Sequence, residues 1–294
     1  MDTPLLQRFM HQLLSQFPVC CHYHVRDQKE GIFDSIEEVM VWHHGTQARY
    51  HICHLKFGGA SHLGRFDACY QQLLAWRDQA DFALSWDTYP FAFASSTITS
   101  FFPTTDFWQE HSEVEFCQWI ADNPPHKLAD VVIICDDPLF NQRTLSAISK
   151  TLNESLAKTL LTICQRLNGA GTYQRQFCET ADLNWLLAQP DVLIASDSFG
   201  LDQVHPRNHS TFTQVLYQAW CQGEAAFHEM VQRIQHGANL VFPDIPMPSL
   251  AIGEPAELFF FTPIKQEIPT DTSTAFAISG TLIGYCLLSN TWHA

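Results

Sequence analysis

His24, in the string His24-Val25-Arg26-Asp27, and His54, in His54-Leu55-Lys56, each stand near the end of a short apolar run. Aspartate 197 follows a third such run, DVLIA, and a fourth ends in Asp87-Thr88-Tyr89. Neutral imidazoles and carboxylates are the ordinary donors for a divalent ion of the zinc type, which accepts nitrogen and oxygen together. Two imidazoles and one carboxylate delivered from different strand tips would make a metal site. Delivered separately they are surface residues. Everything depends on the elements between them.

Those elements have clear periods. Runs 17–25 (FPVCCHYHV) and 49–55 (RYHICHL) are almost continuously apolar and read as buried parallel strands. Between them, 31–44 (GIFDSIEEVMVWHH) puts Ile32, Ile36, Val39 and Met40 on one helical stripe. The pattern repeats: 64–79 is a helix with Phe66, Cys69, Tyr70, Leu73 and Trp76 in phase, and 82–89 is a strand stopped by Pro90. Further on, 179–189 reads as a helix with Thr180 as its cap, 191–195 as a strand, and 211–220 as a helix. Strand–helix–strand units with functional groups at the carboxyl ends are how α/β barrels build a site.

Residue types alone do not single out these histidines. The chain has 15, and His43, His44, His51, His62, His111 and His126 read as surface or hydrogen-bonded core residues. His22-Tyr23-His24 with Cys20 and Cys21 invites a structural-zinc reading, but on one strand the two cysteines face opposite ways. The matching position of His24 and His54 in successive units sets them above a lone motif as candidate metal ligands.

The segment from YHVRDQKEG to FAFASST resembles the middle of the N-acyl-D-amino-acid deacylases, which are zinc-dependent amidohydrolases. The likeness continues in ADLNWLLAQPDVLIASDSFGLDQVHPRNHSTFTQVL and closes in IGEPAELFFFTP, in the family's order. It implies a partial (β/α)8 barrel of the later strands, residues 1–249, and a small carboxyl-terminal β segment, residues 250–294. Residues 96–190 would be an excursion over the active site. It also implies that His24 and His54 bind a zinc ion, and that Asp197 is the general base and a possible ligand to a second metal. Lys56, Tyr89 and Arg207 would grip the carboxylate of an N-acyl-D-amino acid. The reaction implied is hydrolysis of the linear amide to a carboxylate and a D-amino acid. A non-catalytic remnant or interaction protein keeping the half-barrel is the alternative.

Departures from the family pattern are specific. The family's initial β segment, its His-x-His strand and the strand with a bridging cysteine have no counterpart, and His22-x-His24 cannot substitute because His24 belongs to a later strand. Gln28 or Lys29 stands near an acidic position, Ser198 and Ser210 at glycine positions, and Gln214 at an arginine position. A turn needing positive φ at either serine would be strained. The expectation is an incomplete metal site and a chain that self-associates or binds a companion amino-terminal half.

Composition bounds the remainder. A formal net charge of −15 argues against nucleic acid and anionic membrane as partners. No apolar run reaches bilayer length, and the amino terminus lacks the features of a secretory signal. Ten cysteines without framework spacing read as free thiols in the cytoplasm. Leu5, Leu6, Phe9, Leu13 and Leu14 mark an opening amphipathic, core-facing helix. Within 96–190, helices are expected at 112–121, 142–152 and 154–167 and a strand at 130–135. In 250–294, strands are expected at 258–261 and 275–288.

Overall fold

The computed structural model describes residues 3–17, 19–125, 127–198 and 205–242, with a short antiparallel strand pair at Leu287–Leu288 and Thr291–Trp292. The strands expected at 258–261 and most of 275–288 fall outside the described residues. The chain divides into two units. One holds the described residues up to Pro90, those from Thr180 to 198, and those from Pro206 onward; the other holds Phe91–Glu179 and His205.

The first unit alternates helix and strand. Helix α1 (Thr3–Gln16) leads to β1 (Cys20–Tyr23), α2 (Ile32–His43), β2 (Arg49–Ile52), α3 (Phe66–Gln79) and β3 (Leu84–Thr88). The second unit then contributes β4 (Phe93–Thr97), α4 (Phe107–Glu110), α5 (Glu113–Asp122), β5 (Val132–Ile134), β6 (Arg143–Thr144), α6 (Leu145–Leu152), α7 (Leu156–Leu167) and β7 (Thr172–Gln176). The chain returns to the first unit through α8 (Thr180–Leu187), β8 (Leu193–Ile194), α9 (Arg207–Gln222) and α10 (Glu224–Val241). The elements expected from periodicity are present within a few residues, and Thr180 opens α8 from inside. Helix α10 is an addition.

In the first unit β1, β2, β3 and β8 form a parallel sheet in that order. Its two faces differ. Tyr23, Tyr50, Ile52 and Trp86 point one way, where Tyr23 meets Trp42 and His43 of α2 and Trp86 meets Tyr70 of α3. Ile32, Ile36, Val39 and Leu73 complete this core, each such buried side chain contributing about 1.5–3 kcal/mol. The opposite face carries His22, His51 and Ser85 in register across three strands, a polar row. Strand β1 is therefore not the fully buried strand its apolar run suggests. It is an edge of the described sheet, and its residues are partly or fully exposed.

Helix α1 departs from expectation in the same place. Leu14 is buried, whereas Leu5, Phe9 and Leu13 are exposed. The helix packs mainly against α2, and one main neighbour covers only one side of a helix whose apolar stripe is broad.

The second unit is an antiparallel sheet in the order β4-β7-β5-β6 with its own core, including Phe116, Ile133, Phe140, Ile148 and Ile163. Only β5 was legible as a strand. Ser112 caps α5 with a reciprocal bond from Glu115, and Asn153 and Asn168 end α6 and α7 in the left-handed conformation. No helix among the described residues is long and apolar enough to cross a membrane. The nine cysteines among them are free thiols.

Candidate functional site

Parallel strands put their carboxyl ends on one side of a sheet, where such folds place ligands. His24 follows β1 directly, His54 lies just past β2, Asp87 is in β3, Tyr89 follows it, and Asp197 lies shortly past β8.

The two imidazoles meet. His24 Nδ1 and His54 Nε2 are 2.9 Å apart, and the rings approach edge to face. The other nitrogen of His54, Nδ1, is 2.9 Å from the Gln28 side-chain amide nitrogen, and the Gln28 backbone carbonyl accepts from Gly58 N–H. Burial, then the neighbouring His24, pushes His54 down to about 4, and burial followed by Arg207 lowers His24. Both rings are neutral at physiological pH, as metal ligands must be.

His54 reaches this position through an unusual backbone. Its φ is +43°, and Asp197 has φ +49°. Left-handed backbone costs a residue with a side chain about 1–2 kcal/mol, and such strain gathers at functional sites. Neither serine at a family glycine position carries that burden. Ser198 is not among the positive-φ residues and Ser210 is inside α9. Among the described residues of the first unit, the non-glycine positions at positive φ are His54 and Asp197, both site residues.

Asp197 does not join the imidazoles. Its carboxylate pairs with Arg207 Nη1 at 2.6 Å, and that same nitrogen donates to Tyr89 Oη at 3.1 Å. Despite the guanidinium, burial pushes Asp197 up to about 6, with Arg207 and Lys56 pulling it back and Asp87 adding to the rise. The desolvation of a carboxylate at this depth exceeds what one cation returns. Lys56 is 2% exposed, and its Nζ lies 3.2 Å from the centre of the Tyr89 ring with no hydrogen-bond partner among the described residues. A buried ammonium held only against a π face retains donors for an anion.

Two residues escaped sequence reasoning. His51, read as a bland histidine, is buried in a chain running from Ser85 through its ring to Asp87. Gln28, noted as a departure, is the ring partner of His54. The alternation of β2, which places 51 and 53 on one face, was the available signal for His51.

No family model and no curated protein sequence matches the chain. Solved structures do. An N-acyl-D-glutamate deacylase from Bordetella bronchiseptica, in complex with zinc and a phosphonate mimic of the tetrahedral intermediate, superposes with a TM-score of 0.71 at 17% identity, over 99% of this chain and 56% of that one. A D-aminoacylase superposes with a TM-score of 0.65 at 18% identity, over 89% and 50%. A further D-aminoacylase structure, concerned with its binuclear metal centre, aligns equally well. The chain shares the fold of these deacylases and spans about half their length.

Zinc binds imidazole nitrogens at ~2.0–2.1 Å, so two tetrahedral ligands stand about 3.3 Å apart. The His24–His54 nitrogens need only a slight spread to match. A catalytic zinc takes three protein ligands, and among the described residues no group of three His, Cys, Asp or Glu side chains gathers. The expected trio of His24, His54 and Asp197 is therefore not assembled, because Asp197 turns to Arg207. The pair suits two ligands of a metal and does not complete its shell.

Proposed function

We propose that this chain forms part of a (β/α)8 amidohydrolase-type barrel that hydrolyses N-acyl-D-amino acids to a carboxylate and a free D-amino acid. The observation that carries the reading is Lys56. A buried ammonium stacked on Tyr89, with Arg207 bonded to the same phenol, is a receptor for a fixed carboxylate.

Each residue then has a role. Lys56, Tyr89 and Arg207 hold the α-carboxylate and so orient the scissile amide. Asp197, a carboxylate with its pKa near 6, accepts the proton of the attacking water and returns it to the leaving amine. His24 and His54 are two ligands for zinc, the remainder coming from outside the described residues. Zinc held there supplies a Lewis acid for the carbonyl and an acidified water. The reading takes the protein as cytoplasmic, and as self-associating or completed by further strands.

Hydrolysis of N-acetyl-D-amino acids by the full chain with zinc, scored as free D-amino acid in wild type and in Lys56→Met, tests the proposal. Turnover lost in the variant supports it. Absence of both hydrolysis and binding in the wild type overturns it in favour of a non-catalytic protein on the same sheet.

A further inference from the structure

We infer that Asp87, braced by His51 and Ser85, is a positioning residue that sets where the His54 imidazole points. The inference deepens the proposed function, resting on its reading of His24 and His54 as metal ligands. It concerns the polar row on the side of the sheet away from α2 and α3, in which His51 and Asp87 are buried.

Asp87 collects two successive N–H groups at the point where the chain leaves β2. Its Oδ1 accepts from His54 N–H at 2.8 Å, and its backbone carbonyl accepts from Leu55 N–H at 2.6 Å. This double capture falls at a residue in the left-handed region, which is uncommon for any residue other than glycine. The second carboxylate oxygen of Asp87 is 2.7 Å from His51 Nε2, and His51 Nδ1 is 2.8 Å from Ser85 Oγ. A neutral His51 carrying its proton on Nε2 satisfies the whole chain: the Ser85 hydroxyl donates to His51, His51 donates to Asp87, and Asp87 accepts from His54. His51 and Asp87 are both buried. Ser85 and His51 are register partners, so the brace is anchored in the sheet and not in a loop.

The geometry explains how His54 presents Nε2 to His24. The backbone is held by Asp87 and the ring by its contacts with Gln28 and His24. Outer groups that orient a ligand typically account for 10–100-fold in metal affinity.

Two measurements on the full chain test this. In metal-free protein labelled with 15N-histidine, the His54 amide proton should lie downfield and the His24 and His54 rings should show a nuclear Overhauser contact. Asp87→Ala should abolish both and weaken zinc binding, measured by equilibrium dialysis, about 10–100-fold. Asp87→Asn keeps an acceptor for His54 N–H and should restore the ring contact and most of the affinity, an outcome that generic destabilisation does not produce. Should Asp87→Ala fail to fold, His51→Gln removes the brace alone and should weaken the same ring contact. An unchanged His24–His54 contact in Asp87→Ala, or in His51→Gln where that variant replaces it, overturns the inference. A wild type that binds no zinc but shows the Asp87-dependent contact overturns the metal role and leaves the positioning in place.

Discussion

Lys56 concentrates the tension between stability and function in one side chain. A buried ammonium with no hydrogen-bond partner among the described residues costs about 1–3 kcal/mol, and stacking on Tyr89 returns part of it. Methionine keeps the length and removes the charge. We predict that Lys56→Met raises stability by about 1 kcal/mol, read from the urea midpoint, while carboxylate ligands cease to bind. A fall in stability would make Lys56 a structural anchor. Asp197 gives a second prediction. Asp197→Asn should lower turnover by about 10²–10⁴ with little change in D-amino acid binding, and near-normal turnover would remove Asp197 from the chemistry. The sequence pointed to Asp197 by its place at a strand tip and to Lys56 through the family resemblance. It did not show that Asp197 would pair with Arg207, since Asp197 lies past β8 and Arg207 opens α9, with a stretch between them that has no period to read.

At the scale of elements, α2 and α3 are tied to the sheet by polar contacts that periodicity does not display. His43 of α2 is fully buried, stacks on Tyr50, and has Tyr23 Oη and Ala48 O as its ring partners. Burial lowers its pKa from 6.5. Below pH 6.5 the unfolded chain therefore binds a proton that the folded chain refuses, so this contribution is present above 6.5 and lost as pH falls below it. Urea midpoints at pH 7.5 and 5.5 should fall more steeply for wild type than for His43→Gln; equal falls would clear His43 of a role. His22, His24 and His54 are lowered too, so part of the slope should persist in the variant. Helix α3 is linked to the start of β8 through Asp191, which accepts from Tyr70 Oη and Arg77 Nη1. Asp191→Ala should cost about 1 kcal/mol, toward the low end because the Arg77–Asp191 pair is a third exposed.

For the whole molecule, the edges of the parallel sheet matter most. Among the described residues β1 and β8 each pair on one side only. Exposed Phe17 and Val19 lead into β1, with Pro18 between them in the sequence, and Phe9 is exposed on α1; no lysine stands among these apolar residues to blunt the edge. We predict that the chain self-associates or takes up further strands there. Phe9→Lys with Phe17→Lys should shift its light-scattering mass toward the monomer without lowering the urea midpoint. A wild type already monodisperse as a monomer at micromolar concentration would refute the prediction.

The order of the strand–helix units, the helical faces of α2 and α3, and the histidines at two strand ends were all determined by the sequence alone. Each follows from periods of 2 and 3.6 acting within a dozen residues. The tertiary structure decided the rest. It brought His24 to His54, turned Asp197 away from them to Arg207, and built the Ser85–His51–Asp87 brace. It also paired the weakly patterned β4, β6 and β7 into an antiparallel sheet and left one side of α1 uncovered. Those outcomes depend on strand order, register and the sign of φ at two residues. They join groups far apart in the chain through contacts a few ångströms long, and no local pattern encodes a distance across such a separation.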